Sequence, residues 1–226
     1  IASVATCVDI KATDVDKIVE YASSNNFDLV FVAPEDPLAL GLVDKLNENG
    51  IRAFGPKANA AIIEASKVFS KNLMAKYHIP TAEYALFDNK EKAYDYLEGC
   101  EMPIVIKADG LALGKGVIIA KDIDEAKAAV SSMLEDKAFG DAGSNIVIEE
   151  CMVGTELTIL AFSDGEYAIP MISSRDHKRA YDHDEGLNTG GMGAVTPGAD
   201  LSDDDVKVIS DTIIQPTIEA LKSEGR

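Results

Sequence analysis

The chain has few of the residues that build metal centres and disulfide frameworks. Its 226 residues include three cysteines, three histidines and no tryptophan. Cys7, Cys100 and Cys151 lie far apart and form no C-x-x-C pair, which argues against a zinc knuckle or a disulfide framework and favours a reducing cytoplasm. The three histidines likewise lack the spacing of a metal-ligand set.

Basic charge and long apolar runs are also scarce. Lysine and arginine number 21 against 39 aspartates and glutamates, which gives a net charge of −18. A surface of this sign repels nucleic acids and anionic lipids, so we expect neither as a partner. No run approaches the roughly 18 apolar residues of a membrane span, and the N-terminus lacks a signal-peptide pattern. Any phosphate site must therefore be a local basic pocket.

The first 57 residues alternate between strand patterns and helix patterns. The predicted elements are strands at residues 3–10, 29–32 and 51–54, with 29–32 of the buried type, and helices at residues 14–25 and 38–47. This alternation predicts a parallel α/β unit, which is incomplete because a doubly wound sheet needs further strands. The chain begins with Ile1 and stops after a helical pattern, so we expect an internal piece of a longer protein.

The rest of the chain mixes helices and antiparallel strands. Residues 58–77 are predicted as one long helix, and residues 81–149 could form a compact α+β unit. Asp122 and Glu125 resemble a capping box at the start of a helix. Beyond residue 150 the patterns predict a hairpin over residues 155–172, an irregular polar stretch to Pro197 and a final amphipathic helix over residues 203–223.

The most informative stretch runs from residue 104 to residue 117. A β-branched strand leads to Lys107, three glycines follow at 110, 114 and 116, and a second strand begins at Val117. Glycines allow backbone N–H groups to approach an anion, and Lys107 and Lys115 add positive charge, so a polyphosphate ligand fits. The spacing is not that of a Walker A loop. A plain hairpin with solvated lysines is the alternative.

Two further stretches carry candidate site residues. Glu149 and Glu150 follow a short apolar strand, and alternation sends their side chains to opposite faces, one toward a cleft and one toward water. Two surface glutamates are the alternative. Asp176-His177-Lys178-Arg179 and the glycine-rich run at residues 188–193 lie in a long polar stretch, which is unusual in a compact domain unless it binds a ligand.

Four stretches together carry a family resemblance. In chain order they read FGPKANAAIIEASKVFSKNLMAKYHIPT, IKADGLALGKGV, FGDAGSNIVIEE and RDHKRAYDHDEGLNTGGMGA. They resemble the ATP-grasp enzymes and, within them, the phosphoribosylamine–glycine ligase (glycinamide ribonucleotide synthetase) family, over nearly the whole chain. The resemblance implies an α/β protein with an ATP-grasp fold of α+β lobes. Residues 1–57 would be a partial N-terminal α/β domain, residues 58–80 and 150–226 the large lobe, incomplete at its C-terminus, and residues 81–149 the lid lobe.

The resemblance also implies roles for individual residues. ATP would be bound by Lys67, Lys107, Gly110, Gly114, Lys115 and Gly116 at its phosphates, by Glu149, Glu150, Cys151 and Met152 at adenine, by Glu156 at the ribose, and by Asn188. The acceptor substrate would meet Asp176, His177, Lys178, Asn188, Thr189, Gly190, Gly191 and Met192. Lys107, Lys178 and Arg179 would be the catalytic cations. Magnesium would accompany ATP, with its ligands expected beyond residue 226.

The implied activity is the ATP-dependent ligation of glycine to 5-phosphoribosylamine through a glycyl phosphate. Its products are glycinamide ribonucleotide, ADP and phosphate, in de novo purine synthesis. The expected partners are small molecules, and the expected state is a cytoplasmic monomer or weak oligomer. This chain alone is expected to bind nucleotide weakly and not to turn over. Two alternatives stay open: a non-catalytic nucleotide-binding module, and another ATP-grasp ligase or carboxylase of purine metabolism.

Overall fold

The computed structural model describes residues 1–111, 116–136 and 144–226. The chain divides into two compact units. The first comprises residues 1–65 together with Arg226, and the second comprises residues 66–225. None of the helices in the described ranges has the length and apolar composition that crossing a membrane requires.

The first unit packs helices around a two-stranded parallel sheet. Strands β1 (Val30–Phe31) and β2 (Ala53–Phe54) pair in parallel. The helices are α1 (Val15–Asn25), α2 (Glu35–Ala39), α3 (Leu42–Glu48) and α4 (Ala58–Ala65). Residues from α1, α3 and the position after β1 form the core, which consists of Val15, Ala22, Val32, Leu42, Val43 and Leu46. The predicted parallel α/β unit is confirmed.

Three details of this unit differ from the prediction. Residues 3–10 form no strand, because no partner strand for them exists in the described part of the chain, and residues 3–9 are exposed. The helix predicted over residues 38–47 is two short helices, since Gly41 adopts φ +80° and ends the first. The prediction of a fully buried β1 is wrong: Leu29 and Phe31 are 50% and 58% exposed.

A four-stranded antiparallel sheet organises the first half of the second unit. Its order is β3 (Tyr84–Phe87), β6 (Ile146–Glu150), β4 (Ile104–Ala108), β5 (Val117–Ala120). The predicted hairpin that flanks the glycine-rich loop is confirmed as β4 and β5, which pair with Ile106 opposite Ile118. Strand β4 runs one residue past Lys107, which was expected to end it.

One face of this sheet packs against helices α6 (Lys90–Leu97) and α7 (Ile123–Leu134). Ile104, Ile106 and Ala108 alternate along β4 and are all buried in that core, so Val105 and Lys107 project from the other face. Asp122 accepts a hydrogen bond from the Glu125 N–H at 2.9 Å, as predicted. The Glu125 carboxylate, however, accepts from the Lys121 N–H, so the reciprocal half of the predicted capping box is absent.

The long helix predicted over residues 58–77 is wrong. Helix α4 ends at Ala65, and α5 (Lys67–Lys76) begins after Ser66, whose backbone is extended at φ −134° and ψ 113°. The Ser66 hydroxyl accepts a hydrogen bond from the Phe69 N–H at 3.0 Å and thereby caps α5. Lys67 is consequently the first residue of a helix rather than part of a helix interior.

The second half of this unit contains short antiparallel pairs and a long helical segment. The predicted hairpin forms, but its strands β7 (Ala161–Ser163) and β8 (Ala168–Pro170) are shorter than expected. The stretch predicted as irregular contains two strand pairs, β9 (Arg175–Asp176) with β12 (Ala194–Val195) and β10 (Arg179–Tyr181) with β11 (Glu185–Asn188). The final helix forms as α8 (Asp203–Ile209), a π-helical turn at Ser210–Ile214 and α9 (Gln215–Ser223).

Candidate active site

An ion pair joins two strands on the sheet face opposite α6 and α7. In the antiparallel register Lys107 lies opposite Val147, and Val105 lies opposite Glu149. Lys107 and Glu149 are therefore diagonal neighbours on one face, and the Lys107 Nζ contacts Glu149 Oε1. The Lys107 side chain is 29% exposed, whereas the Glu149 side chain is 8% exposed. Of the two glutamates that end β6, Glu149 is thus buried and Glu150 is exposed.

A second lysine, Lys71 of α5, contacts the same carboxylate. Its Nζ lies 2.7 Å from Glu149 Oε2, and it donates to Thr81 Oγ1 at 2.7 Å and to the Ala82 carbonyl oxygen at 3.3 Å. The ammonium also lies 5.0 Å from the centre of the Tyr84 ring. Lys71 is 7% exposed, so its charge is buried and fully paired.

The two lysines decide the charge state of Glu149. Burial by itself raises the pKa of this carboxyl, because it disfavours the charged form. The hydrogen bonds from Lys107 and Lys71, together with their positive charges, outweigh burial and hold the pKa of Glu149 below its usual value. Glu149 is therefore a carboxylate at neutral pH, and the two ammonium groups share it.

The root of the glycine-rich loop is bound to the N-terminus of α5. Asp109, which follows β4, accepts hydrogen bonds from the Ser66 hydroxyl at 3.1 Å and from the Val68 N–H at 3.1 Å. Lys67 Nζ donates to the Gly110 carbonyl oxygen at 2.8 Å. Lys67 and the first residues of the loop therefore lie together. At the other end of the loop, the Gly116 carbonyl oxygen accepts a hydrogen bond from the Ala108 N–H. Gly114 and Lys115 lie outside the described residues.

The end of β6 and the segment after it carry the residues expected at adenine. The Glu150 carboxylate accepts from the Glu83 N–H at 3.0 Å, which ties the end of β6 to the residue before β3. Cys151 is half-buried, and Met152 is 73% exposed. The backbone groups of this segment and the exposed thioether of Met152 can therefore contact a planar apolar ring.

Glu156 and Lys178 form an ion pair, with Asp176 nearby. The Lys178 Nζ contacts Glu156 Oε1 and lies 3.7 Å from Asp176 Oδ2. The hydrogen bond that the Lys178 ammonium donates to Glu156 raises the pKa of Lys178 and outweighs the opposing effect of burial. Lys178 is a cation at neutral pH, so it can neutralise a phosphate oxygen but cannot accept a proton.

Residues 176–179 and 188–193 lie side by side through backbone hydrogen bonds. The Thr189 N–H donates to the Lys178 carbonyl oxygen at 2.7 Å, and the Met192 N–H donates to the His177 carbonyl oxygen at 2.7 Å. The Thr189 hydroxyl also accepts from the Gly191 N–H at 3.0 Å. A Cβ added at Gly190 would have no atom within 4 Å, and Asn188 lies in β11.

A cavity of about 470 Å³ opens beside these segments. Its lining includes cationic, imidazole and carboxylate groups from Arg175, Asp176, His177, Arg179 and His183. This volume is in the range of small-ligand sites. Arg179 Nη1 also donates to the Gly186 carbonyl oxygen at 2.8 Å, which holds the guanidinium in place. Across the ranges that the structure describes, no three His, Cys, Asp or Glu side chains come together as a metal cluster.

Comparison with known proteins decides the family. Residues 65–226 match the family model described as phosphoribosylglycinamide synthetase, ATP-grasp (A) domain, and residues 1–64 match the N domain of the same synthetase. The chain is 48% identical over 225 residues to the phosphoribosylamine–glycine ligase of Halalkalibacterium halodurans, which covers 100% of this chain and 53% of that protein. The chain belongs to the phosphoribosylglycinamide synthetase family.

Other relatives agree with this membership. The phosphoribosylamine–glycine ligase of Escherichia coli K12 is 48% identical over 218 residues, or 96% of this chain and 51% of that protein. The chain spans about half the length of the synthetase relatives it matches. A crystal structure of the Thermotoga maritima phosphoribosylamine–glycine ligase superposes with a TM-score of 0.72 at 34% identity, over 77% of this chain and 44% of that one.

The predicted ATP-grasp fold is confirmed. Besides the synthetase-family match, the biotin carboxylase–βγ-ATP complex of Campylobacter jejuni superposes with a TM-score of 0.72, over 93% of this chain and 46% of that one. Its sequence identity is 16%, so this likeness concerns the fold alone.

Two residues of this candidate site are not among the sequence predictions. Lys71 lies one helical turn after Lys67, and Asp109 lies directly after β4. The spacing of four residues between the lysines is a weak signal, because lysines on a helix are usually solvated. Asp109 offers no signal of its own until the break at Ser66 is known, since only that break creates a helix N-terminus beside the loop.

Proposed function

We propose that this chain carries the nucleotide site and part of the acceptor site of an ATP-dependent ligase that joins glycine to 5-phosphoribosylamine. The products are glycinamide ribonucleotide, ADP and phosphate. The main observation in support is the pair of lysines around Glu149, beside a glycine-rich loop, in a chain whose relatives are phosphoribosylamine–glycine ligases. Because the chain has about half the length of those relatives, the activity is proposed for a protein of their length.

The phosphates of ATP bind at the loop root in this proposal. Lys67 and Lys107 supply positive charge there, and the loop with Gly110, Gly114, Lys115 and Gly116 closes over the phosphates. The hydrogen bond from Lys67 to Gly110 supports this placement, because it already sets one ammonium at the loop entrance. Residues 58–80 and 150–226 act as the large lobe and residues 81–149 as the lid lobe.

The adenosine binds along the end of β6 and the segment that follows it. Glu149, Glu150, Cys151 and Met152 contact adenine, mainly through backbone groups, and Glu156 accepts hydrogen bonds from the ribose hydroxyls. Glu156 is now paired with Lys178, so the ribose competes with this lysine for one carboxylate. The half-exposed position of that pair supports the exchange, since exposed ion pairs are weak.

The acceptor side is formed by residues 176–179 and 188–192. Asp176, His177, Lys178, Asn188, Thr189, Gly190, Gly191 and Met192 contact substrate, and Lys178 and Arg179 act with Lys107 as the cations of the reaction. The cavity beside Arg179 supports this assignment because its guanidinium and imidazole groups suit a phosphate or carboxylate.

The chemistry proceeds in two transfers. A glycine carboxylate oxygen attacks the γ-phosphorus of ATP, the bond to the bridging oxygen breaks, and ADP leaves. The amine nitrogen of phosphoribosylamine then attacks the carbonyl carbon of glycyl phosphate, phosphate leaves, and the nitrogen releases a proton. Lysine and arginine charges stabilise the transferring phosphoryl group, and closure of the loop keeps water from the acyl phosphate.

The remaining proposals concern magnesium and the surroundings of the enzyme. Magnesium supplies charge neutralisation at the phosphates when it accompanies ATP. Within the described ranges no carboxylate cluster suits it, so no residue here is assigned to the metal. The partners are small molecules, and the net charge of −18 supports the exclusion of nucleic acid and of anionic membrane surfaces. We also propose that the protein is cytoplasmic and is a monomer or a weak oligomer.

A thermal-shift titration tests the nucleotide site. Magnesium-ATP is expected to raise the melting temperature of this chain, magnesium-GTP is not, and Lys107→Ala is expected to lose the shift. A ligand at about a hundred times its Kd adds roughly 2.7 kcal/mol, which a melting curve resolves. Lys127→Ala is the matched control, because this lysine pairs with Glu98 at the surface away from the site. Equal shifts with both nucleotides would contradict the adenine assignment.

An ADP-release assay tests the reaction. This chain is joined to the parts of the Halalkalibacterium halodurans relative that it does not match, and this chain alone is assayed beside it. ADP release that requires both glycine and phosphoribosylamine is expected from the joined protein only. ADP release with another purine intermediate instead would identify a different ATP-grasp ligase. Nucleotide binding without release from the joined protein would identify a non-catalytic module.

A further inference from the structure

Glu149 is shared by two lysines whose surroundings differ sharply. Lys71 is 7% exposed and has three oxygen partners, in Glu149, Thr81 and Ala82. Lys107 is 29% exposed at its side chain, and within the described residues only Glu149 pairs with its ammonium. Lys71 is therefore fixed in one position by its surroundings, whereas Lys107 can leave Glu149 by losing a single contact.

The charges of this cluster leave one positive charge uncompensated. Two ammonium groups and one carboxylate sum to +1, in a chain whose net charge is −18. If Lys71 were absent, Lys107 and Glu149 would cancel each other. An ammonium that is neutralised by a buried carboxylate must leave that carboxylate before it can attract a polyphosphate. This step is costly, because it leaves a buried carboxylate without a partner.

We propose that Lys71 is a positioning residue that serves as the permanent counter-ion of Glu149, so that Lys107 can move from Glu149 to the nucleotide phosphates. Lys107 rests on Glu149 before the nucleotide binds. When the nucleotide arrives, Lys107 moves to it, and Glu149 stays ionised and in place because Lys71 remains bound to Oε2. This role rests on the proposed nucleotide site and adds to it a residue that does not itself contact the ligand.

The removal of Lys71 then has a specific chemical consequence. The charged and titratable groups that face Glu149 are Lys71 from α5, Lys107 from β4 and Tyr84 from the paired strand β3. Glu150 turns its carboxylate to the Glu83 N–H instead. Apart from Lys71 and Lys107, no cation in the described residues lies within ion-pair distance of Glu149. Glu149 must then take up a proton as the nucleotide binds.

The first experiment needs no nucleotide. Lys71→Met and Lys107→Met remove one ammonium each from the same carboxylate. If Lys71 is the fixed counter-ion, the urea midpoint of Lys71→Met should fall by about 1 M or more. If Lys107 is free to move, the urea midpoint of Lys107→Met should stay near that of the wild type. Equal losses in the two variants would overturn the assignment of different roles.

The second experiment measures proton uptake during nucleotide binding. Magnesium-ATP is titrated calorimetrically into the wild type and Lys71→Met, in buffers of different ionisation enthalpy at neutral pH. Lys71→Met is expected to bind at least about tenfold more weakly and to take up close to one proton more than the wild type. Its affinity should recover toward that of the wild type as the pH is lowered. A purely structural lysine would weaken binding without this proton linkage.

A double variant separates the charge from the packing of Lys71. In Lys71→Met with Glu149→Gln, no carboxylate remains to be protonated, so the additional proton uptake should disappear. If Lys71→Met alone does not fold, the double variant should regain folding, and failure to do so would overturn the counter-ion role. If the wild type binds no magnesium-ATP, the proposed function fails together with this inference. If Lys71→Met binds like the wild type with no additional proton uptake, the proposed function stands and only this inference is wrong.

Discussion

The Asp109 carboxylate, just beyond the end of β4, accepts a hydrogen bond from the backbone N–H of Val68 in the first turn of α5, at 3.1 Å. A carboxylate at a helix N-terminus satisfies an otherwise unpaired N–H group and is favoured by the peptide dipoles. The contact also fixes Gly110, the next residue, where the Lys67 ammonium binds the carbonyl oxygen. The glycine-rich loop and the lysine at its entrance are therefore held by one carboxylate.

Asp109→Ala should lower both stability and nucleotide affinity. The lost cap is expected to reduce the free energy of unfolding by about 1–2 kcal/mol, as measured by urea denaturation. Asp95→Ala is the matched control, because Asp95 is exposed on α6 and its side chain has no hydrogen-bond partner in the described part of the chain. An Asp109→Ala midpoint no lower than that of the control would show that this contact contributes nothing.

Glu149→Gln should change the way that stability depends on pH. Because the pKa of Glu149 is lowered in the folded protein, its carboxylate stabilises the fold above the unfolded-state pKa of about 4.3. This stabilisation is lost as the pH falls through the folded-state value. The free energy of unfolding of the wild type should therefore exceed that of Glu149→Gln by about 1–3 kcal/mol near neutral pH, and this gap should close in acid.

Urea denaturation across the acidic range measures this gap. Glu98→Gln is the control, because Glu98 pairs with Lys127 at the surface and its side chain is 63% exposed. Its difference from the wild type should be small at every pH, since exposed ion pairs contribute little. A gap for Glu149→Gln that persists unchanged into acid would contradict the assigned ionisation.

The parts of the site that lie within regular strands could be predicted from the sequence. Alternation along β4 and β6 places Ile106 and Ile148 in the core and therefore Lys107 and Glu149 on the opposite face. This inference needs only the twofold period of a strand. The resemblance to a known family then supplied the ligand, which alternation alone could not.

The contacts that cross between elements could not be predicted in the same way. The helix break at Ser66 contradicts the continuous helical pattern around it, because it depends on a hydrogen bond to Asp109, 43 residues away. Lys71 is an ordinary helix lysine by its neighbours in the sequence, and only the packing of α5 against β6 buries it. Such long-range contacts override local propensity, and a single sequence does not encode them in any short pattern.

Glu156→Gln and Lys178→Met should have different effects on nucleotide binding. If the ribose competes with Lys178 for Glu156, the removal of the lysine frees the carboxylate and should leave ATP affinity equal or higher. The removal of the carboxylate should weaken ATP binding by about tenfold or more, because hydrogen bonds to a charged group are lost. Titration calorimetry with magnesium-ATP measures both changes.

A surface ion pair between α8 and the π-helical turn after it controls for the loss of charge alone. Lys207→Met removes an exposed lysine that is paired with Asp211 in the same helical segment. Neither this variant nor Lys178→Met should change the urea midpoint much, since both ion pairs are largely solvated. A loss of ATP affinity in Lys178→Met that matches the loss in Glu156→Gln would show that the pair acts as a unit rather than as competitors.

Gly198 lies where the chain after β12 meets the start of β9. Its N–H donates to the Ser173 carbonyl oxygen at 2.9 Å, and Ser173 is itself buried. A Cβ at this position would lie 2.3 Å from the Ser174 carbonyl carbon and 2.7 Å from the Arg175 nitrogen. These are backbone atoms, so they cannot rotate away as a flexible side chain would.

Gly198→Ala should therefore force the two backbone segments apart. We expect a loss of about 1–3 kcal/mol in the free energy of unfolding, because the added methyl group overpacks a fixed contact. Gly154→Ala is the matched control, since a Cβ there would meet no atom within 4 Å. Because Arg175 lines the cavity, Gly198→Ala should also weaken acceptor binding in the joined protein, seen as a higher KM for phosphoribosylamine. Equal urea midpoints for the two variants would mean that the backbone yields at little cost, and the close packing of Gly198 would then have no part in shaping the cavity.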